Sequence, residues 1–385
     1  MEWPAWLTLV MLYFLPLAIA IGTCAYHLAV SIAASRFRSE TEPAAEFAPP
    51  VSILKPLRGI EPNFHATLAT FFRQQYPQFE IIFGLSDPND PARWTLAQLQ
   101  RDFPAVPVKV VVVREAAATN PKMGKLQRMV EEASHDVLVV SDADIAVGPE
   151  YLRDVVRPLA DERVGMVTCL YRGIPRGGLW SVLEALGMSA EFAGQVLLGR
   201  ALTGMRFGLG ATMATRKKQI AEIGGLAPWS DYLADDYILG DRIAAAGYRI
   251  HLSRCVVDTL LPHRTWKELW HQQLRWARTI RACSPRGYSG LLFAYGAPLA
   301  LLPALYHTTR LSLAVLVGAF LLRFVAAWAS GILVCKDRLV EKFLWLIPVR
   351  DLLALVIWLL SFAGSKIVWR GARFRLEPSG KIRPT

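Results

Sequence analysis

The chain has 385 residues, 53% of them hydrophobic and only 19% charged, with a formal charge of +11. That balance is too apolar for an ordinary soluble protein and points to a membrane. The positive charge would also suit nucleic acid, but no zinc-finger, RNP or helix-turn-helix pattern accompanies it, so anionic lipid and phosphate are the expected partners, not nucleic acid.

In chain order, residues 6–34 (WLTLVMLYFLPLAIAIGTCAYHLAVSIAA) run 29 positions without Asp, Glu, Lys or Arg, more than the roughly 20 apolar residues that cross a bilayer. A cleavable leader would carry a basic stretch first and a shorter apolar core. Here MEWPA precedes the run while Arg36 and Arg38 follow it, so residues 1–35 are read as a transmembrane anchor. Short Lys- and Arg-rich flanks stay in the cytoplasm, which places the amino terminus outside and the following domain inside. Residues 36–50 are polar and Pro/Ala-rich, a linker. Five cysteines (Cys24, Cys169, Cys255, Cys283, Cys335) stand far apart with no CxxC pair, so neither a zinc site nor a disulfide framework is expected.

From 51 to 265, β-branched runs alternate with helix-like stretches: VSILKPL, FHATLATFFRQQ, FEIIFGLSD, ARWTLAQLQRDF, PVKVVVVRE, KMGKLQRMVEEA, HDVLVVSDADI. Such βαβ alternation predicts an α/β domain on a Rossmann-like, mostly parallel sheet. VKVVVV and DVLVVS lack period-2 alternation, as expected of strands covered on both faces. Ligands in such sheets collect beyond the carboxyl ends of strands, and aspartates follow both FEIIFGLS and DVLVVS.

Residues 266–287 form a basic, Trp-rich amphipathic segment, and 288–365 are again hydrophobic, with candidate spans at about 289–308, 311–335 and 343–364. The last is interrupted by Pro348, Arg350 and Asp351, which suits a re-entrant or interfacial helix as well as a crossing. A basic tail, 366–385, carries Lys366, Arg370, Arg373, Arg375, Lys381 and Arg383.

Four elements carry chemistry. Asp87 in FGLSDPNDPA follows a strand and precedes a Pro/Asn turn; alone it reads equally as an Asx-turn residue. Asp142 and Asp144 in SDADI can face one hard cation that bridges two phosphates, or can merely cap the strand. In YLADDYILGDRI, Asp235 reads best as a helix-start residue favoured by capping and the dipole. Asp236 can serve as the carboxylate that takes a proton from an acceptor hydroxyl. Gln272, Arg275 and Trp276 in HQQLRW stand at i, i+3 and i+4 of a helix and share a face, useful for a diphosphate or as a membrane anchor.

In this order on a βαβ sheet, Asp87, the DAD at 142–144, Asp236 and QQLRW at 272–276 resemble the D, D, D, (Q/R)xxRW signature of inverting GT-A glycosyltransferases. VSILKPLRGIEPN, QQYPQFEIIFGLSDPNDPA, NPKMGKL and WRGARFRL are similar to ceramide glucosyltransferases, and VTCLYRG, GLW and LADDYILGDRI to a bacterial branch associated with hopanoid lipids. The likeness covers nearly the whole chain. Two departures separate it from the ceramide enzymes: SDADI has a second aspartate that they lack, and EALGMSAEFAGQVLLG has no histidine near the acceptor.

The resemblance implies a GT-A catalytic domain between an amino-terminal anchor and carboxyl-terminal membrane helices, cytoplasmic at the bacterial inner membrane. It also implies a UDP-sugar donor, a Mg2+ or Mn2+ ion and a membrane lipid acceptor. Lys55, Pro56 and Asp87 would then lie near uracil and ribose, Asp142 at the ribose, Asp144 on the metal, and Lys122, Gln272, Arg275 and Trp276 around the donor, with Asp236 as base. N-acetylglucosamine or glucose, moved to a hopanoid polyol, is the expected reaction, with glucosylation of ceramide as the alternative. A polysaccharide synthase shares the signature but needs a translocation channel for which the few expected spans offer little wall. A non-catalytic lipid-binding scaffold would have no physical need for the full carboxylate set.

Overall fold

The computed structural model describes residues 9–41, 46–60, 63–113, 119–369 and 372–385. Residues 6–8 of the expected anchor, 42–45 of the expected linker and Arg370 of the tail lie outside the described residues. The chain divides into two compact units interleaved in sequence: a helical unit (Met1–Glu40, Gly177–Gly204, His263–Gly371) and an α/β unit (Thr41–Arg176, Met205–Pro262, Ala372–Thr385).

The α/β unit is built on an eight-stranded sheet in the order β3-β2-β1-β4-β7-β6-β8-β5. Its strands are β1 (Val51–Pro56), β2 (Phe79–Leu85), β3 (Val108–Val112), β4 (Val137–Val140), β5 (Ile145–Ala146), β6 (Val164–Pro175), β7 (Met213–Arg216) and β8 (Arg249–Leu261). Parallel pairing joins β3, β2, β1 and β4, and joins β6 to β8, whereas β4–β7, β6–β7 and β5–β8 are antiparallel. The sheet is therefore mixed: the expected parallel half is present, and the rest is antiparallel because β7 is a short return strand between β4 and β6.

All six residues of β1 and all four of β4 are buried, which explains their unbroken apolar runs. VKVVVV is a different case. It forms the edge strand β3, half-buried, with Val112 38% exposed, so its apolar run does not mark an internal strand. On one face of the sheet, Leu68, Phe71, Phe72, Leu96, Leu99, Tyr151 and Val155 pack into a single core. Strands Ala372–Leu376 and Ile382–Pro384 of the tail form an antiparallel hairpin. It is fastened to the loop before Asp235 by Leu233 N donating to Gly380 O at 3.2 Å and Ile382 N to Asp231 O at 2.8 Å.

Among the described residues of the helical unit, three helices are long and apolar enough to cross a membrane: Val10–Ser39, Arg310–Val334 and Arg338–Ser361. The expected span at 289–308 is not among them. Pro285–Gly290 is one short helix, and Ala297–Tyr306 is an apolar stretch too short to cross, because Gly296, Pro298 and Pro303 limit a continuous helix. The span carrying Arg350 and Asp351 is longer than their charges suggested, since both are buried and paired. Arg323 embraces Asp351 through Nε (2.8 Å to Oδ2) and Nη2 (2.8 Å to Oδ1). Arg350 Nη2 meets Glu191 at 3.1 Å and Gln273 Oε1 at 2.8 Å. Small residues let the helices approach: Ala20, Ala300 and Ala319 meet in one cluster, and Gly331 lies against Val340. Among the described residues no disulfide joins the five cysteines.

Candidate active site

The carboxyl ends of β1, β2 and β4 open toward the same loops of the α/β unit. Asp142 and Asp144 follow β4 directly. The turn that carries them, between β4 and β5, is fixed by Leu260 N donating to Asp144 O at 2.9 Å. Beneath them, Lys55 lies within β1 and is fully buried. Its ammonium donates to Asp142 O at 2.5 Å and stands 3.8 Å from the centre of the Phe71 ring. Burial lowers its pKa to about 7, against the pull of Asp144 and Asp142. Pro56 closes the same strand, paired with Gly84 of β2.

Lys122 enters from the helix Pro121–Glu132. Asn120 caps that helix, its Oδ1 accepting from Lys122 N at 3.0 Å, with Pro121 at the first position. The Lys122 ammonium lies 2.7 Å from Asp142 Oδ1 and 2.8 Å from Asp235 Oδ2. Burial would discharge it, but Asp142, Asp235 and Asp236 outweigh burial and hold it well above the ordinary lysine range. Asp235 does open its helix, as expected, but in the first turn rather than as a cap. No side chain caps the helix Asp235–Ala245, and the Asp235 carboxylate is buried as a partner of Lys122.

Both oxygens of Asp236 are held by backbone: Gly210 N donates to Oδ2 and Tyr237 N to Oδ1, each at 2.8 Å. Burial first, and the Asp235 charge second, push its pKa up to about 6, with Lys122 acting the other way. Gly210 marks how close the two motifs come: a Cβ there would sit 3.0 Å from Asp142 Oδ2 and 3.3 Å from Asp236 Oδ2. Tyr171 of β6 faces the same group, its hydroxyl pushed to higher pKa by burial and then by Asp236, Asp142 and Asp144. Asp142, Asp144, Asp236 and Lys122 are thus brought together as expected.

Asp87 stands apart. It is exposed, and its Oδ1 accepts from Asn89 N at 2.8 Å, the Asx turn of the plainer reading. Gln272 and Arg275 share a helix face, with Arg275 Nη2 donating to Gln272 Oε1 at 3.0 Å, and Trp276 is half-buried beside them on Trp266–Cys283. This helix belongs to the helical unit.

Sequence reasoning missed Gly210, Lys125 and Asp90. Lys125 is buried and donates to Leu57 O at 2.7 Å and Ser86 Oγ at 3.2 Å, while Asp90 accepts from Gly59 N at 3.0 Å and Ala92 N at 2.9 Å. Together they tie the loops after β1 and β2. NPKMGKL and SDPND contained both residues, but nothing in their spacing separates a buried lysine from a solvated one.

Among the described residues, no three His, Cys, Asp or Glu side chains form a ready-made metal cage. The donor set still fits a divalent cation of the Mg2+ type. Such ions are held by one or two carboxylates together with the phosphates of a substrate and water, and Asp144 and Asp142 are half-exposed hard oxygen donors at one strand end.

A family model described as Glycosyl transferase family 21 matches residues 12–382. Ceramide glucosyltransferase 1 of Caenorhabditis elegans is 25% identical over 347 residues, covering 87% of this chain and 73% of the relative. The ceramide glucosyltransferase of Gibberella zeae is 30% identical over 165 residues, 40% of this chain and 30% of the relative. Among solved structures, the mannosyltransferase PcManGT from Pyrobaculum calidifontis, in complex with GDP-Man and Mn2+, aligns with a TM-score of 0.54 at 20% identity, covering 90% of this chain and 97% of that one. The likeness is one of fold.

Proposed function

The chain belongs to glycosyl transferase family 21, and from that premise we propose that it moves a single sugar from a UDP-sugar to the hydroxyl of a membrane lipid, at the cytoplasmic face of a bacterial cell membrane. One observation carries this reading. A buried carboxylate, Asp236, is pinned by two backbone N–H groups beside Asp142, the carboxylate at the expected donor site.

Asp236 is the base. With a pKa of about 6 it is ionised at neutral pH, yet more basic than a solvated aspartate, the compromise that general-base catalysis favours. It takes the proton of the lipid hydroxyl as that oxygen attacks the anomeric carbon opposite the departing diphosphate, giving inversion in one displacement. Asp142 orients the ribose side of the donor, and Lys122 places a fixed positive charge near the diphosphate. Asp144 would hold Mg2+ or Mn2+, which when bound supplies charge neutralisation for the leaving diphosphate. Gln272, Arg275, Trp276, Pro56 and Asp87 are assigned to the donor on motif order alone.

For the acceptor, the second aspartate of SDADI and the absence of histidine from EALGMSAEFAGQVLLG favour a hopanoid polyol, with N-acetylglucosamine or glucose as the sugar. A ceramide acceptor with UDP-glucose is the second reading, supported by the names of the relatives. Incubating the purified protein with UDP-sugars and lipid extracts, and weighing new glycolipids by mass spectrometry, decides between them. Asp236→Asn should lower transfer at least about 100-fold with UDP binding retained; near-normal turnover rejects the base. In the wild type, kcat should fall about tenfold per unit below pH 6, as Asp236 becomes protonated and can no longer accept a proton.

A further inference from the structure

Lys122 is a buried ammonium with two anionic partners of unlike accessibility. The Asp142 side chain is 38% exposed, that of Asp235 only 9%. A diphosphate arriving from solvent can therefore compete for the ammonium at the Asp142 end and not at the other. The Asp235 contact, at 2.8 Å, is a buried ion pair that holds the ammonium in place. The backbone behind Lys122 is fastened to the same region. Asn120 N donates to Ser230 O at 2.9 Å, Asn120 Nδ2 to Tyr232 O at 3.0 Å, and Thr119 Oγ1 to Asp231 Oδ1 at 2.7 Å, three to five residues before Asp235 begins its helix.

We propose that Asp235 is a positioning residue for the donor: it retains Lys122 at the site, so that the ammonium that neutralises Asp142 in the free protein turns to the donor diphosphate and releases the Asp142 carboxylate. Asp235 acts only through Lys122 and touches neither sugar nor acceptor. This rests on the nucleotide-sugar reading above and adds a residue whose charge reaches the donor indirectly.

The test is a double-mutant cycle read by equilibrium binding of UDP with Mn2+ to the full-length protein in nanodiscs, with uridine as the phosphate-free control. Asp235→Asn and Lys122→Met should each weaken UDP about tenfold, the size of one charge-assisted contact, and leave uridine unchanged. Asp235→Glu should regain most of the loss, and the Lys122→Met/Asp235→Asn pair should bind no more weakly than Lys122→Met alone. Additive losses, equal weakening of uridine, or full UDP affinity in Asp235→Asn overturns the proposal. Should Asp235→Asn fail to fold, Lys122→Met and the charge-depleted pair carry the comparison, and any further loss in the pair overturns it. A wild type that binds UDP no better than uridine rejects the nucleotide-donor reading itself, whereas a wild type that prefers UDP with an additive cycle rejects only the role of Asp235.

Discussion

Gly210 donates its N–H to Asp236, and its missing side chain leaves room for the carboxylates of Asp142 and Asp236 to approach. Gly210→Ala should push one or both aside, and misplacement by a fraction of an ångström at reacting groups costs on the order of 10- to 100-fold in rate. Because the neighbours are side-chain atoms with some freedom to move, little stability should be lost: kcat falls while the thermal midpoint holds. A parallel collapse of both would show a purely structural role. At this scale, the grouping of Asp142, Asp144, Asp236 and Lys122 was legible because each follows a predicted strand or opens a predicted helix at the edge where ligands of such sheets collect. Gly210 and Asp235 were not. Their roles depend on contacts made across 68 residues of chain from Asp142 to Gly210 and 113 from Lys122 to Asp235, and spacing along the sequence carries no record of that.

The loops that frame the site are held by two buried polar groups rather than by regular structure. Asp90 joins the loop after β1 to the start of the helix Ala92–Asp102, and Lys125 draws the ends of β1 and β2 together. Asp90→Ala leaves two backbone donors without their acceptor, a loss of about 1–3 kcal/mol where they are buried. It should appear as a lower denaturation midpoint together with a raised KM for donor; an unchanged KM would detach this loop from donor binding. Most strands and helices were readable from periodicity, and the capping box of Thr265 and Glu268 before HQQLRW is itself a sequence signal. The misread elements have definite causes. β3 is apolar yet lies at the sheet edge, which local hydrophobicity cannot report, and the segment around 289–308 has the composition of a span but glycine and prolines that deny it the length.

Across the whole molecule, buried charge in the helical unit is balanced in pairs. Arg323 and Asp351 are 2% and 0% exposed, so removing one leaves the other stranded. Arg323→Leu should cost about 3–5 kcal/mol, whereas Arg323→Leu/Asp351→Leu should recover most of it; thermal unfolding in detergent distinguishes the two, and equal damage from both would mean that the pair is not the source. The interleaving of the two units has a practical side. The sheet-bearing unit draws on three separate stretches, and the hairpin from Ala372 onward is bonded to residues 231–233, a step from Asp235 and Asp236. A fragment cut before Ala372 would thus lose a brace of the loop that leads into Asp235 and Asp236. Any sequence inserted into the Gly380 turn would press on residues 231–233, so tags and fusions are better placed away from that hairpin.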